Sequence, residues 1–531
     1  MAGFWSMVGL VIKSLITGND AVNDLGDTAD IGSAGDDPVC LYAIARFKPP
    51  TGDDTADGFA DFLTHVLANV PASQAVRLDQ FFTPNPEATD PFQAMREVQL
   101  NVLNMGHRLD ADAAFWGQYN ANTGHFDVHL ISDGLTTSLY DLLLPLSYSF
   151  RQPDHPDVAE ALKILLGAQL VLKSRGGDQR LLQIARLSST LEDFQERINH
   201  GEYFNAAGSG VALAYAFGAY MLSETGDRSY CASALRVLEP LVRQILGDAG
   251  TKPQEPAAKP KAPSGLLGEA LHQKQAATKE LRTEDLLGLI TDHAKLSSQS
   301  TAVLALYGGL VNWSLIANLK ARSGALAMGI WKLLELRVEL SVGTAVDRAI
   351  AVCKLGEAMV CAGKDAEDAK IVDAGASHYR RAITMVNTRA HAPLYSLVAY
   401  GLAEAIVASA NINDINIPDA QVVPVFQAAL KVCARRDHPY IWGRIMFALA
   451  TVYLTVGNVH QDSKSLTKAR MGFSQAYEAF IDAGAKGAAR AASGGYTRTE
   501  NMLSQLGHRK AVMDATGGEG SGEASGKEAA S

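Results

Sequence analysis

The spacing of apolar residues changes once along the chain, and this change predicts two structural regions. From residue 39 to about residue 133, four short runs rich in β-branched and aromatic residues are typical of strands: VCLYAIARF, QAVRLDQFF, AAFWGQY and HFDVHLIS. Two segments with helical periodicity, ADGFADFLTHVLANV and PFQAMREVQLNVLNMGHRL, lie between them. The order β-α-β-α-β-β predicts a small α/β domain over residues 39–133.

After residue 133 the strand signals end, and long segments rich in Ala and Leu predict helices as far as residue 512. A stretch rich in Pro, Ala and Lys, residues 247–283, predicts a flexible linker between helical repeats over 134–246 and 284–512. Residues 19–38 are acidic and rich in turn formers, which predicts a second linker. The Gly/Ser/Glu-rich residues 513–531 predict a disordered tail.

Residues 1–18 form a predicted amphipathic helix ahead of the acidic linker. Its apolar run is too short for a membrane span and contains Lys13. The broad apolar face is formed by Phe4, Trp5, Val8, Val11, Ile12 and Leu15. Three roles remain open: packing on the helix's own domain, lying in a membrane surface through residues 4–16, or contacting a partner protein.

The C-terminal helices repeat with a period of 47 residues. Leu355 recurs as Leu402 and Leu449, and the small residue that follows each leucine recurs with it. In a second helix of each unit, Tyr379 recurs as Phe426 and Phe473. Each unit is therefore a pair of helices, and a single pair cannot bury both of its faces. The pattern predicts a mainly α protein in which successive pairs stack into a solenoid.

This pattern resembles the tetratricopeptide repeat family, whose signature places Leu-Gly-x-x-Tyr in the first helix of each unit and Ala-x-x-x-Phe-x-x-Ala in the second. The third unit matches best, with Leu449-Ala450-x-x-Tyr453 followed by Ala469-x-x-x-Phe473-x-x-Ala476. The unit is longer than the family's roughly 34 residues and lacks its tryptophan, which leaves a HEAT-like solenoid open. The resemblance implies a surface that binds proteins or peptides.

The predicted α/β domain resembles the small TolB-N-type domain that precedes such repeats in bacterial proteins. The resemblance lies in Leu109-Asp110-Ala111-Asp112, followed by a strand that contains Trp116-Gly117 and by a hairpin. It implies a role in interaction and regulation.

Composition narrows the function classes. Hydrophobic residues make up 47% of the 531 residues and charged residues 20%, which is typical of a folded protein. The net charge of −10 argues against nucleic acid as a partner. Five scattered cysteines imply no disulfide framework and favour the cytoplasm. The oligomeric state cannot be derived from the sequence.

The sequence contains no motif for a phosphate-binding loop, a metalloprotease helix or a nucleophile elbow, so we expect no catalytic residue, cofactor or metal. Cys353 and Cys361 lie eight residues apart and are interpreted as small apolar positions of a packing helix rather than as a metal or redox site. His125 and His129 share one face of a predicted strand, which leaves open an exposed hairpin face or a two-ligand metal site.

One group of basic residues lies at matching positions in and beside the turns between units. These residues would suit an acidic peptide or a carboxylate, or would instead cap helix C-termini: Arg380, Arg381, Arg389, His391, Arg435, Arg436 and His438. The sequence as a whole therefore predicts a cytoplasmic, non-enzymatic scaffold or adaptor that binds a protein partner. Two alternatives are a membrane-associated organising protein, and a regulatory subunit or enzyme with Asp112, Trp116 and His129 between the α/β domain and the solenoid.

Overall fold

The protein is mainly α-helical, with packed neighbouring helices that follow a small sheet domain. The computed structural model describes residues 40–47, 55–68, 70, 73–85, 87, 91–120, 124–132, 140–143, 146–151, 156–173, 177–200, 208–250, 296–317, 324–340 and 345–517. The predicted N-terminal helix, the acidic linker and most of the predicted Pro/Ala/Lys-rich linker lie outside these residues.

Within the described residues, five strands form one sheet in the order β2-β1-β3-β4-β5. The strands are β1 (Cys40–Arg46), β2 (Ser73–Phe81), β3 (Ala113–Asn120), β4 (His125–Ser132) and β5 (Tyr148–Phe150). Helix α1 (Thr55–Ala68) connects the parallel strands β1 and β2, and α2 (Pro91–Arg108) connects β2 to β3, which is also parallel to β1. The β3–β4 hairpin and β5 are antiparallel. The predicted β-α-β-α-β-β order is confirmed.

The two faces of the sheet are covered by different elements because successive strand residues point to opposite sides. One face packs on α1, where the rings of Phe59 and Phe126 stack with centroids 4.4 Å apart. This core continues into the helical region. The other face packs on α2, which places Val98 and Val102 against Trp116.

Strand β5 lies in the region where the sequence predicts helices only. Its three residues are too few to show an alternating pattern, and they pair with Phe126–Val128 of β4. The sheet therefore extends beyond residue 133. Ser147, just before β5, is held by a side chain of the helical region, because the amide of Gln299 donates to its carbonyl oxygen at 2.8 Å.

The helical region is a succession of packed helices. A short helix, α3 (Tyr140–Leu143), precedes it. The pairs that follow are α4 (Pro156–Lys173) with α5 (Gly177–Asn199), α6 (Ser209–Thr225) with α7 (Cys231–Gly250), α8 (Ser298–Ile316) with α9 (Gly324–Leu340), α10 (Ala345–Asp365) with α11 (Ala369–Met385), α12 (Ala392–Ile412) with α13 (Asp419–Val432), and α14 (Pro439–Val459) with α15 (Ser463–Asp482).

A final helix, α16 (Lys486–Gly517), packs on α15. It extends into the predicted tail as far as Gly517, and the remainder of that tail lies outside the described residues.

The 47-residue period of the sequence appears directly in the helix boundaries. The first helices of three successive pairs begin at Ala345, Ala392 and Pro439 and end at Asp365, Ile412 and Val459, so both ends repeat every 47 residues. Within the first of these pairs, a Cβ on Gly375 would lie 2.9 Å from the carbonyl oxygen of Gly356. Gly356 is the small residue that follows Leu355 in the repeat, and at this position the two helices approach closely.

The array curls until its two ends touch. Along its inner side, α6, α8, α10, α12 and α14 contact one another in succession. Gly226, just after α6, then lies against the ring of Tyr440 at the start of α14. Gly484, between α15 and α16, lies against Leu181 of α5 in the same way. The five inner helices therefore form a closed ring, a feature that the predicted stacking of pairs into a solenoid does not specify.

Candidate functional site

A cavity of about 460 Å³ lies within this ring of inner helices. Its wall follows one face of each of α10, α12 and α14 along several turns, and α6 and α8 contribute their C-terminal parts. Positions 47 residues apart recur in the wall. Glu357 and Glu404 form one such pair, and Cys353, Tyr400 and Phe447 form one such series. The repeat thus determines which face of each helix meets the cavity.

Trp313 of α8 forms part of the cavity wall and is only 2% exposed. Three cationic side chains lie over its indole ring: the guanidinium carbon atoms of Arg228 and Arg444 are 4.7 and 5.7 Å from the ring centroid, and Lys354 Nζ is 5.4 Å away. An indole face attracts cations, so Trp313 holds positive charge around itself. Its own Nε1–H finds no acceptor among the described residues.

Lys354 and Glu357 form a buried ion pair in the wall, with 3.0 Å between Nζ and Oε2. Asn312 of α8 donates to Glu357 Oε2 at 2.9 Å and to the Lys354 carbonyl at 3.1 Å. Burial alone would raise the pKa of Glu357, but Lys354 and this amide lower it. Burial alone would lower the pKa of Lys354, but Glu357 and Glu224 raise it. Both side chains are therefore charged at neutral pH.

Arg444 lies among aromatic rings rather than beside a carboxylate. Besides Trp313, its guanidinium carbon is 4.7 Å from the ring centroid of Tyr400 and 5.9 Å from that of Tyr440. Burial alone would lower the pKa of Arg444, but Tyr400, Tyr440 and Glu404 raise it. Among the described residues no carboxylate oxygen lies within 4 Å of the guanidinium. Arg444 is thus a charged group without an ion-pair partner in this part of the chain.

Glu404 is the carboxylate of α12 that faces the cavity. Tyr400, one turn earlier on the same helix, donates its hydroxyl to Glu404 Oε1 at 2.6 Å. Asn411, two turns further on, also faces the cavity, and its Oδ1 is buried and finds no donor among the described residues. One helix therefore presents two polar acceptors to the cavity.

Cys353 and Cys361 also lie in this wall. Burial raises the pKa of both thiols to about 12, so both are neutral at physiological pH. Both are free thiols, and no cluster of three or more His, Cys, Asp or Glu side chains that could hold a metal occurs among the described residues.

The basic residues proposed from the sequence lie outside the cavity. Arg381 pairs with Glu335 and Glu339 of α9, and Arg435 pairs with Glu478 and Asp482 of α15, so each arginine ties two successive outer helices together. Arg380, Arg389 and Arg436 are exposed.

His391 and His438 occupy the N-cap positions of α12 and α14, at helix N-termini rather than C-termini. The seven basic residues therefore include two structural arginines and two N-cap histidines. The apolar residues Phe4, Trp5, Val8, Val11, Ile12 and Leu15 lie outside the described residues.

The polar candidates of the sheet domain lie away from the helical array. Asp112 Oδ2 accepts the backbone N–H of Leu41 at 2.8 Å. Trp116 and His129 stack at 5.1 Å on the face covered by α2. His129 is buried, which lowers its pKa to about 4, so the exposed hairpin face expected for it is not observed. His125 interacts with Arg151, with 2.9 Å between Nε2 and Nε.

The sequence analysis does not single out the charged residues of the cavity, yet the sequence contains a signal for two of them. Glu404 is the only charged residue of α12, and Arg444 is the only charged residue of α14. By length and composition these two helices could cross a membrane. However, 61% and 56% of their apolar segments are buried in the array, as in the core helices of other folded proteins, so their apolar composition is only weak evidence for a membrane span. A charge buried in an apolar helix is unfavourable unless it has a partner group, so such a residue marks a position to inspect in the structure.

Comparison with protein-family models, curated proteins and solved structures found no match. The resemblances to the tetratricopeptide and TolB-N families therefore stay predictions. What the structure establishes is the coarser architecture, an array of helix pairs behind a small α/β domain.

Proposed function

We propose that this protein is a non-enzymatic scaffold or adaptor that holds a segment of a partner protein on the inner faces of a tetratricopeptide-like helical array. The cavity along α10, α12 and α14 is the observation that carries this proposal. Its volume of about 460 Å³ falls in the range of specific ligand sites, and it combines apolar walls with a few buried polar groups. A cytoplasmic location fits the free cysteines.

The inner wall is favoured as the binding site because the basic residues on the outer helices already form ion pairs within the protein. Arg381 and Arg435 are engaged in ion pairs between outer helices, which leaves them few free donors for an acidic peptide. In the inner wall, by contrast, Arg444 lies over aromatic rings and has no carboxylate at ion-pair distance among the described residues. Helical arrays commonly bind their partners on the inner surface.

Filling the cavity tests the proposal. Thr451→Trp places a large side chain in the wall of the cavity on α14. Thr467→Trp on α15 is the matched control, because both threonines lie within helices and donate to the carbonyl four residues earlier, but Thr467 is exposed. The tagged full-length chain and both variants are used to capture proteins from cells of the source organism, and captured proteins are quantified by mass spectrometry.

We expect a set of proteins retained by the wild type and by Thr467→Trp but lost with Thr451→Trp, and we expect a synthetic segment of one of them to bind the purified chain. Equal retention by both variants, with both melting like the wild type, would reject the inner cavity as the binding surface. If Thr451→Trp does not fold, the smaller change Thr451→Leu, with Thr467→Leu as its control, takes its place.

A further inference from the structure

Some polar groups of the cavity wall lack hydrogen-bond or ion-pair partners among the described residues. Arg444 offers a planar guanidinium that lies over the aromatic rings of Trp313, Tyr400 and Tyr440 and interacts with the Tyr400 hydroxyl. Such a group binds a carboxylate through two parallel hydrogen bonds. Glu404 and Glu357 stabilise its charge from beyond ion-pair distance. No carboxylate among the described residues lies within 4 Å of it, so its paired donors suit an anion that is supplied from outside.

A second donor lies beside the guanidinium. Trp313 is 98% buried, and its Nε1–H has no acceptor among the described residues. The guanidinium carbon of Arg444 is 5.7 Å from the centroid of the Trp313 ring, so the two side chains lie in the same part of the cavity wall. An unsatisfied buried donor is unfavourable, and a ligand oxygen would satisfy it.

Two hydrogen-bond acceptors of α12 also face the cavity. Glu404 accepts one hydrogen bond from Tyr400, which leaves its other oxygen sites open to a ligand N–H. Asn411 Oδ1 is buried and finds no donor among the described residues. Glu404 would repel a simple anion at the Arg444 site, so a ligand that carries a positive or N–H group beside its carboxylate fits better.

We infer that this part of the cavity binds a carboxylate with an N–H or ammonium group on the neighbouring carbon, as in a free amino acid or the last residue of a peptide. The carboxylate interacts with Arg444 and Trp313 Nε1, and the nitrogen with Glu404. The apolar wall, which includes Val407 and Phe447, takes the side chain. This inference rests on the proposed function in using the same cavity, and it specifies which chemical group the cavity recognises.

Three probe series distinguish the two sources of this group. Leucine, methionine and phenylalanine are each titrated into the full-length chain as the free amino acid, as the N-acetyl amino acid and as the amino acid amide. Binding is followed by calorimetry and by tryptophan fluorescence. We expect at least one free or N-acetyl amino acid to bind and the matching amide to bind about tenfold more weakly or not at all, because the amide lacks the carboxylate.

Tighter binding of the N-acetyl compounds indicates the end of a peptide, and binding that requires the free ammonium indicates an amino acid. Arg444→Met should abolish binding of either kind, and Arg444→Lys should weaken it because the bidentate geometry is lost. Glu404→Gln keeps an acceptor for the Tyr400 hydroxyl. It should weaken binding of the free amino acid more than binding of the N-acetyl compound. Arg436→Met, at an exposed position, is the control.

Amides that bind as tightly as the acids would overturn the inference, and so would binding that survives Arg444→Met in a protein that melts like the wild type. No binding in any series would also reject it. The proposed function is judged separately: if Thr451→Trp still loses its protein partners, the scaffold stands without this ligand. If amino acids bind through Arg444 while no protein depends on the cavity, the scaffold fails and this inference stands.

Discussion

Gly226 lies against the ring of Tyr440, 214 residues further along the chain, and this contact joins the two ends of the inner ring of helices. A Cβ on Gly226 would lie 3.1 Å from the Tyr440 hydroxyl oxygen, and Gly226 has a φ of 107°, in the left-handed region. The adjacent Arg228 donates to that hydroxyl at 3.4 Å. The contact fixes α14, and with it Arg444, in place opposite α6.

Gly226→Ala should destabilise the protein for this reason. Alanine is strained at this φ and its Cβ would press on Tyr440, so we expect a loss of about 1–3 kcal/mol in the free energy of unfolding, measured by chemical denaturation. Gly494→Ala is the control, since Gly494 lies within α16 with open space around it, and should be neutral or slightly stabilising. Equal stability of the two variants would show that the ends do not meet as described.

The close approach of α10 and α11 gives a second prediction. A Cβ on Gly375 would lie 2.8 Å from Val360 Cγ2 and 2.9 Å from the Gly356 carbonyl oxygen. Gly375→Ala should therefore push the two helices apart and cost about 1–3 kcal/mol. Gly507→Ala in α16, where nothing lies within 4 Å, is the matched control. A melting temperature for Gly375→Ala at or above that of the control would contradict the tight packing.

The two arginines that join outer helices should differ in their effect on stability. Arg435 pairs with Glu478 and Asp482, which are 56% and 49% exposed, so Arg435→Met should cost less than about 1 kcal/mol. Arg381 pairs with Glu335, which is 1% exposed. Once Arg381 is replaced, Glu335 keeps Lys332 as its ion-pair partner, at 2.9 Å. Arg381→Met should cost more, about 1–2 kcal/mol. A larger loss for Arg435→Met would reject this ranking, and neither change should affect ligand binding in the cavity.

Glu335 also predicts a pH dependence. Burial alone would raise its pKa, but Lys332 and Arg381 bring it below the ordinary value of 4.5. A carboxyl group with a lowered folded-state pKa contributes stability above its unfolded pKa and loses it as the pH falls through the folded value.

The difference in melting temperature between wild type and Arg381→Met should therefore hold from neutral pH down to about 4.5 and shrink in more acidic solution. A difference that grows below pH 4.5 would contradict the assigned direction.

The cavity cysteines should react slowly with alkylating reagents. Burial raises the pKa of Cys353 and Cys361 to about 12, so little thiolate is present at pH 8. Iodoacetamide at that pH should label both much more slowly in the folded chain than in urea, as followed by peptide mass spectrometry. Equally fast labelling in the folded chain would show that these thiols are activated, which would favour a redox role.

The sequence predicts the architecture because the fold repeats locally. Each unit is a pair of helices, and Leu355, Leu402 and Leu449 mark the same buried position in three successive units. The same holds for the sheet domain, whose strands are apolar enough to be recognised one by one. The exception is β5, which has three residues and no alternating pattern of its own.

The sequence does not show which of the predicted basic residues are engaged in ion pairs, and the reason is physical. Arg381 and Arg435 are visible in the sequence as basic residues near turns, but their carboxylate partners lie 42 to 47 residues away on other helices. Their engagement in ion pairs depends on packing, which the order of residues does not reveal. Arg444 is a lone charge in an apolar helix, and the 47-residue period does not repeat it, since Leu397 is at the matching position of the preceding unit.

The sequence by itself determined the helix pairs, their 47-residue period and the face of each helix that is apolar, because these follow from local spacing. Only the tertiary structure decided that the array closes, since closure depends on the angle at which each pair packs on the next and on contacts between distant residues, such as Gly226 with Tyr440 and Gly484 with Leu181. That closure brings the lone charges Glu404 and Arg444 of two apolar helices into one cavity with Trp313.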